Sequence, residues 1–228
     1  MKFKTRKQKI LEYNSKYPEH TDDTAKLLKR YFSDHKLNFE KARKKASKKA
    51  DLILQKRKYE HIRIVMYEYP MKTDRPRTFG GRTFSPNAHD NHEYFEKAIK
   101  SVVKSLKLIN TPAEIRINVY LEMPSSIPAD EVILFELKIL NPIDYPDYDN
   151  VGKCYTDMLK NVLVVDDDIF YRGEIVKYYS IQPRVELIIT YLTSHESDYI
   201  YKKICKRKSV KELIASGLCE IVKLTEED

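Results

Sequence analysis

The chain has 228 residues, with 42 Lys and Arg against 34 Asp and Glu, a formal net charge of +8, three cysteines and no tryptophan. That length accommodates one principal domain with extensions and a genuine core; no run approaches the ~18 consecutive apolar residues of a membrane span, and the opening MKFKTRKQKI has no signal-peptide centre, so membrane integration is excluded as an expectation. Cys154, Cys205 and Cys219 form neither a CxxC pair nor an even-numbered framework, which fits free thiols in a reducing, cytoplasmic setting.

Residues 1–60 hold 19 Lys and Arg against 8 Asp and Glu, so this quarter carries +11 and the remainder −3. Such a patch attracts polyanions, nucleic acid above all, although a solvated helix face has the same composition. Residues 1–59 read as a basic helical extension: Leu27, Leu28, Tyr31 and Phe32 form an apolar stripe after TDDT, where Thr21 or Asp22 is placed to cap a helix. A second run, NFEKARKKASKKADLILQKRK, is a basic helix whose Lys44, Lys45, Lys48 and Lys49 could grip a phosphate backbone. From His61 the period changes to two, with Ile62, Ile64 and Met66 alternating with Arg63 and Val65, so the main domain is expected to start near residue 60 as a strand.

The segment TDRPRTFGGRTFSP is broken by Pro76, Gly80-Gly81 and Pro86 and reads as a loop. Tyr94, Phe95, Ala98, Ile99, Val102, Val103 and Leu106 then recur at helical spacing over 88–108. AEIRINVYLEM and EVILFELKIL read as strands on either side of the turn PSSIPAD. A helix over about 150–162 follows, leading through VVDDD to two last strands, IFYRGEIVKYY and PRVELIITYL. The expectation is an α+β domain over 60–193 with a mixed sheet covered by helices. Residues 194–228 form a tail with one short helix, which Gly217 would end.

The chemistry concentrates in NPIDYPDYDNVGK, residues 141–153, and in Asp166, Asp167 and Asp168. In an extended segment Asp147 and Asp149 point the same way, Asp149 or Asn150 can cap the following helix, and Lys153 lies one turn after Asp149. The Asp triplet arrives past the far end of that helix, where the chain can return beside the first acidic segment. Carboxylates brought together raise each other's pKa unless a cation neutralises them. Mg²⁺ does so with a few carboxylate oxygens, waters and phosphate oxygens. Acids holding a metal and basic residues holding phosphate together suit phosphodiester hydrolysis. The plainer alternative is a turn, a cap and a solvated loop.

Two stretches carry a resemblance. PDYDNVGKCYTDMLKNVLVVDDDIFYRGEIVK is similar to the signature of the RusA-like Holliday junction resolvases, an Asp-x-Asp-Asn-x-x-Lys helix before an Asp-Asp turn and a Lys-bearing strand, and RPRTFGGRTFSP resembles that family's Arg-Pro-Arg loop. The likeness spans about residues 60–193. It implies a homodimeric, Mg²⁺-dependent endodeoxyribonuclease, with Mn²⁺ as a possible substitute, that cuts four-way junctions and other branched DNA by paired nicks in recombination, repair or phage DNA processing. Carried over by position, Asp147, Asp149 and Asp167 are its catalytic acids and Lys153 its lysine. Asp166 joins the three acids as a metal ligand, the choice within 166–168 staying open. Arg75, Arg77, Arg82 and Lys177 would contact DNA, guanidinium forks suiting phosphate oxygens. Two rivals stand beside it: a non-catalytic basic DNA-binding protein whose acids only cap and solvate, and a glycosyltransferase using Asp-x-Asp to hold a nucleotide-sugar, which lacks the expected βαβ pattern ahead of DYD.

Overall fold

The computed structural model describes residues 5, 6, 8, 23–70, 77–79, 82–84, 88–103, 107–144, 146–193 and 199–222. Contacts divide the chain into two compact units, Met1–Gln55 and Lys56–Asp228. In the first unit, α1 (Thr24–Asp34) and α2 (Phe39–Lys56) bury no residue of their own. Asp23, rather than Thr21 or Asp22, caps α1: its carboxylate accepts from the Ala25 and Lys26 amides at 2.9 and 3.2 Å. The turn into α2 passes through Lys36 at φ 52° and is pinned by an edge contact between Phe32 and Phe39.

The second unit opens with β1 (Tyr59–Met66), then the hairpin β2 (Arg77–Phe79) and β3 (Arg82–Phe84), α3 (Ala88–Val102), β4 (Ala113–Glu122) and α4 (Ala129–Glu136). It continues with α5 (Tyr148–Leu159), a 3-10 turn at Asp167–Ile169, β5 (Phe170–Ser180), β6 (Arg184–Leu192), α6 (Tyr199–Cys205) and α7 (Lys208–Ala215). The four-stranded sheet runs β1-β6-β4-β5, with β4 and β5 parallel and the other pairs antiparallel, so the α+β architecture with a mixed sheet stands.

Side chains in register across the sheet point to one side. Ile64, Leu187 and Ile117 form one such row, each at most 1 % exposed, which Ile175 extends to the edge. Burying each of these is worth roughly 1.5–3 kcal/mol. Phe95 and Ile99 of α3 and Val151, Tyr155, Met158 and Leu159 of α5 complete that core, with the Phe95 and Tyr155 rings 5.9 Å apart. A Cβ at position 152 would meet Ile175 Cδ1, the movable end of a side chain, so α5 approaches β5 closely at this point.

One expected strand is a helix. EVILFELKIL falls partly in α4, because a short apolar run has no period long enough to distinguish the two. Pro128 sets the start, Asp130 and Glu131 suit the positive end of the helix, and Phe135 packs edge-on against Tyr179 of β5. The last turn of α4 is tied to the end of β5, Glu136 accepting from Ser180 Oγ at 3.0 Å and from the Ile181 amide at 3.1 Å. The tail folds onto the same core as the sheet: Tyr201, Val210 and Cys219 are 3 %, 1 % and 1 % exposed. The tail holds two short helices, α6 and α7, where the sequence leads to one, and Gly217, at φ 74°, follows the second.

Candidate active site

Helix α5 presents acids at both ends. At its start the helix takes in Tyr148 and Asp149, so Asp147, not Asp149 or Asn150, stands at the N-cap. Its carboxylate makes no bond to the helix amides and instead accepts from Asn150 Nδ2 at 3.0 Å. Asp149 and Lys153 are exposed, and their side chains make no hydrogen bond or ion pair with any described residue. The positive end of the helix dipole favours both carboxylates by about 0.3–1 kcal/mol each.

The loop before α5 is held from the sheet. Lys177 occupies the edge of the row formed by Met66, Val185 and Val119 and turns its ammonium to the chain above, donating to the Asp144 carbonyl at 2.7 Å and the Pro146 carbonyl at 2.9 Å. Two of its three donors are thereby committed to the backbone immediately before Asp147, so its place in this fold is that of a strut.

At the other end, α5 stops at Leu159 and Asn161 adopts φ 61°. Buried Leu163, Val164 and Val165 then run beside Ile109, with Ile109 N–H donating to Leu163 O at 2.9 Å and Val165 N–H to Ile109 O at 3.0 Å. This anchor delivers the acid turn. Asp166 accepts from the Asp167 amide at 3.0 Å and pairs with Lys160 Nζ at 2.6 Å and Arg207 Nη1 at 3.4 Å. Asp168 pairs with Arg207 Nη1 at 2.6 Å, whereas Asp167 is only 4.0 Å from Lys160 and keeps 46 % of its side chain exposed. Burial pushes the Asp166 carboxyl up, but the bonds to Lys160, to the Asp167 carboxyl and to the Asp167 amide together outweigh it and hold the group below its ordinary value. Asp167 is raised, first by its hydrogen bond with Asp166 and then by burial. Lys160 is raised by its bond to Asp166.

The charge conflict of the triplet is therefore resolved by two protein cations. Lys160, expected on the polar face of the helix, stands instead at its C-cap with extended backbone, one residue past Leu159. Arg207 lies 41 residues beyond Asp166 in the tail, and no pattern in the sequence couples the two.

One chain does not bring the two acidic segments together. Asp149 lies in the first turn of α5 and Asp167 beyond its last turn, so at 1.5 Å per residue they are separated by roughly 15 Å along the axis. Among the described residues no three His, Cys, Asp or Glu side chains are grouped to hold a metal ion. The reason lies in direction: Lys177, near the end of β5, reaches the start of α5, so helix and strand run antiparallel and the turn joining them sits at the far end. Of the expected DNA contacts, Arg75 lies outside the described residues. Arg77 and Arg82 open β2 and β3, in register with Phe84 and Phe79.

A model of the endodeoxyribonuclease RusA family matches residues 68–190, which contain both ends of α5, the acid turn and most of the sheet. The chain belongs to the RusA endodeoxyribonuclease family. It is also similar to a Bacillus subtilis (strain 168) protein described as uncharacterized protein YqaN, at 28 % identity over 137 residues that make up 56 % of this chain and 94 % of that one. Helices α1, α2, α6 and α7, and with them Arg207, fall outside the RusA match. No described helix is long and apolar enough to cross a membrane.

Proposed function

We propose that this protein is a divalent-metal-dependent endonuclease that resolves Holliday junctions and related branched DNA as a homodimer, with Asp147, Asp149 and Asp167 as ligating acids and Lys153 as the catalytic cation. The observation that carries the reading is the pair Asp147 and Asp149, two residues apart at a helix start, solvent-facing, with neither carboxylate committed to capping, in a chain of the RusA family. An all-oxygen donor set of one or two carboxylates, with the remaining positions left to water and phosphate, is what Mg²⁺ or Mn²⁺ accepts. When bound, such an ion lowers the pKa of a water and neutralises charge on the scissile phosphate. Lys153, on the same helix one turn on, is free to donate to a phosphoryl oxygen as charge develops there. Lys177 and Asn150 keep the Asp147 segment in place, and Arg75, Arg77 and Arg82 of the hairpin segment bind backbone phosphate.

An unpaired sheet edge supports the dimer part of this reading. β5 is an edge strand whose outer side pairs with no other strand among the described residues. Antiparallel pairing of two such edges about Gly173 would set Arg172 against the partner's Glu174, and each against its opposite charge twice. Because α5 and β5 run in opposite directions, this twofold would carry the acid turn of one copy toward the start of α5 in the other. Two composite sites on one symmetric dimer suit paired nicks across a twofold junction.

Incubation with a synthetic four-way junction and Mg²⁺ is expected to give symmetric nicks that vanish with Asp149→Asn. Binding of the junction with no cleavage under any divalent ion, by protein shown to be folded, would return the chain to the class of non-catalytic DNA-binding proteins.

A further inference from the structure

We propose that helix α2 carries a nucleic-acid surface of its own, a stripe of lysines that grips the phosphate backbone of duplex DNA independently of the acids around α5. The stripe is Lys41, Lys44, Lys45, Lys48 and Lys49, all exposed. It lies outside the stretch that matches the family, and it requires only that the chain handles DNA, whether or not it cuts.

At about 100° per residue these side chains fall within an arc of about 140°, and from first to last they extend roughly 12 Å along the helix axis. Neither acid of the helix enters that arc. Glu40 and Asp51 stand on its flank, and Glu40 pairs with Arg43 at 3.9 Å. A helix face kept in water by its own charges interleaves acids with bases at three- and four-residue spacings. Here lysines recur at those spacings, 41 with 44 and 45, 44 with 48, and 45 with 48 and 49, and like charges so placed disfavour the helix. A dense row of anions relieves that repulsion, and duplex DNA supplies one, with a negative charge per about 1.7 Å of its axis. The other side of α2 explains why the stripe faces outward. Phe39, Ala42 and Ile53 are half-buried there, and Phe39 meets Phe32 of α1 edge-on with ring centroids 5.3 Å apart. A basic helix that lies on lipid keeps its apolar side for the membrane; in α2 that side is already partly covered by protein, and a phosphate backbone makes no use of it.

A stripe of that length matches about three phosphates of one strand, and releasing their counterions contributes about 2.7 to the slope of log K against log salt, roughly fortyfold in affinity between about 50 and 200 mM salt. Binding of the full chain to an unbranched duplex is followed by fluorescence anisotropy in EDTA, with Lys41→Gln, Lys44→Gln, Lys45→Gln, Lys48→Gln and Lys49→Gln combined in one protein. Glutamine keeps the helix propensity of lysine, and circular dichroism checks the fold. The charge-matched control changes Lys202, Lys203, Lys206, Lys208 and Lys211, exposed on the tail, to Gln. The stripe variant is expected to bind less tightly, with a slope shallower by about 2 to 3, whereas the tail variant shifts it by less than about 1. Arginine at the same stripe positions should preserve the wild-type slope, because the charge is retained. The pair Lys44→Gln and Lys48→Gln, with a slope change of about 1 to 2, carries the test should the fuller variant fold poorly. An unchanged slope in the folded stripe variants, or an equal change in the tail variant, overturns the proposal. So does a stripe variant that keeps its duplex binding and loses binding to phosphatidylserine vesicles or to single-stranded RNA instead. Because the measurement contains no metal, failure of junction cleavage would remove the nuclease reading without touching this result, and an unchanged slope would remove the stripe without touching the nuclease reading.

Discussion

Lys177→Met tests whether the sheet positions the acids. Methionine keeps the length and apolar stem that continue the row of Met66, Val185 and Val119, and removes only the ammonium. Two bonds disappear, to Asp144 O at 2.7 Å and Pro146 O at 2.9 Å. A hydrogen bond from a charged donor contributes about 1.5–3 kcal/mol. Water can replace the ammonium at exposed Asp144 but less readily at buried Pro146, so one of the two losses is largely recovered and the expected net cost is about 1–3 kcal/mol. Urea unfolding followed by far-ultraviolet circular dichroism gives that number. The functional effect should exceed what stability explains, because Asp147 follows Pro146 directly and displacement of a reacting group by about 1 Å can cost up to roughly a hundredfold in rate. Junction cleavage by folded Lys177→Met is expected to fall by about tenfold to a hundredfold, with Lys177→Arg retaining more. Stability within about 0.5 kcal/mol of wild type, together with unchanged cleavage, would refute the strut argument.

Two further outcomes concern pH. Asp166 is held below its ordinary value and Lys160 above its own, so their mutual stabilisation is present at neutral pH, fades as pH falls through the lowered Asp166 pKa, and fades again as pH rises through the raised Lys160 pKa. The stability gap between wild type and Lys160→Met should therefore be widest between about pH 5 and 9 and narrow on both sides; raised Asp167 works in the opposite sense and makes the acid side shallower. A gap independent of pH would show that Lys160 acts through packing alone. Tyr191 donates to Glu60 Oε2 at 2.7 Å, and burial, then Glu60, pushes its phenol up to about 12. Its contribution is complete below the ordinary tyrosine value of about 10 and lost as pH climbs toward 12, so Tyr191→Phe should be less stable than wild type at pH 7 and approach it in that window. A difference that stays constant from pH 9 to about pH 12 would count against the burial of that hydroxyl.

Where a sequence pattern spans a whole element, the fold was readable from it. The alternation in HIRIVM, AEIRINVYLE and RVELIITYL fixed β1, β4 and β6, and the stripe through Phe95 and Ile99 fixed α3. EVILFELKIL misled because its helical identity rests on what it meets, Phe135 on Tyr179 and Glu136 on Ser180, and not on any period of its own. The acids were readable as residue types, since Asp-x-Asp-Asn and Asp-Asp-Asp are unusual in hydrophobic flanks. Their spatial relation was not, because it depends on the direction of α5 against β5. Lys177 read as a strand residue facing DNA; only the placement of the Asp144 and Pro146 carbonyls in three dimensions gives it its partners. Arg207 could not be read at all, for an ion pair across 41 residues leaves no local trace.

The two ends of α5 face opposite electrostatic problems, and the residues around them answer each. At the start, the helix contributes about half a positive charge, which makes Asp147 and Asp149 comfortable as bare carboxylates and at the same time weakens their hold on any cation they bind alone. At the finish, the helix contributes about half a negative charge, so three consecutive aspartates there need cations of their own, and Lys160 at the C-cap and Arg207 from the tail supply them. An ion bound by the first pair gains most from an additional carboxylate that the helix does not already compensate. Asp167 is such a group, half exposed and with its nearest cation 4.0 Å away. In the proposed dimer the group that would complete the first site comes from a second copy, because α5 separates Asp167 from Asp149 within one chain.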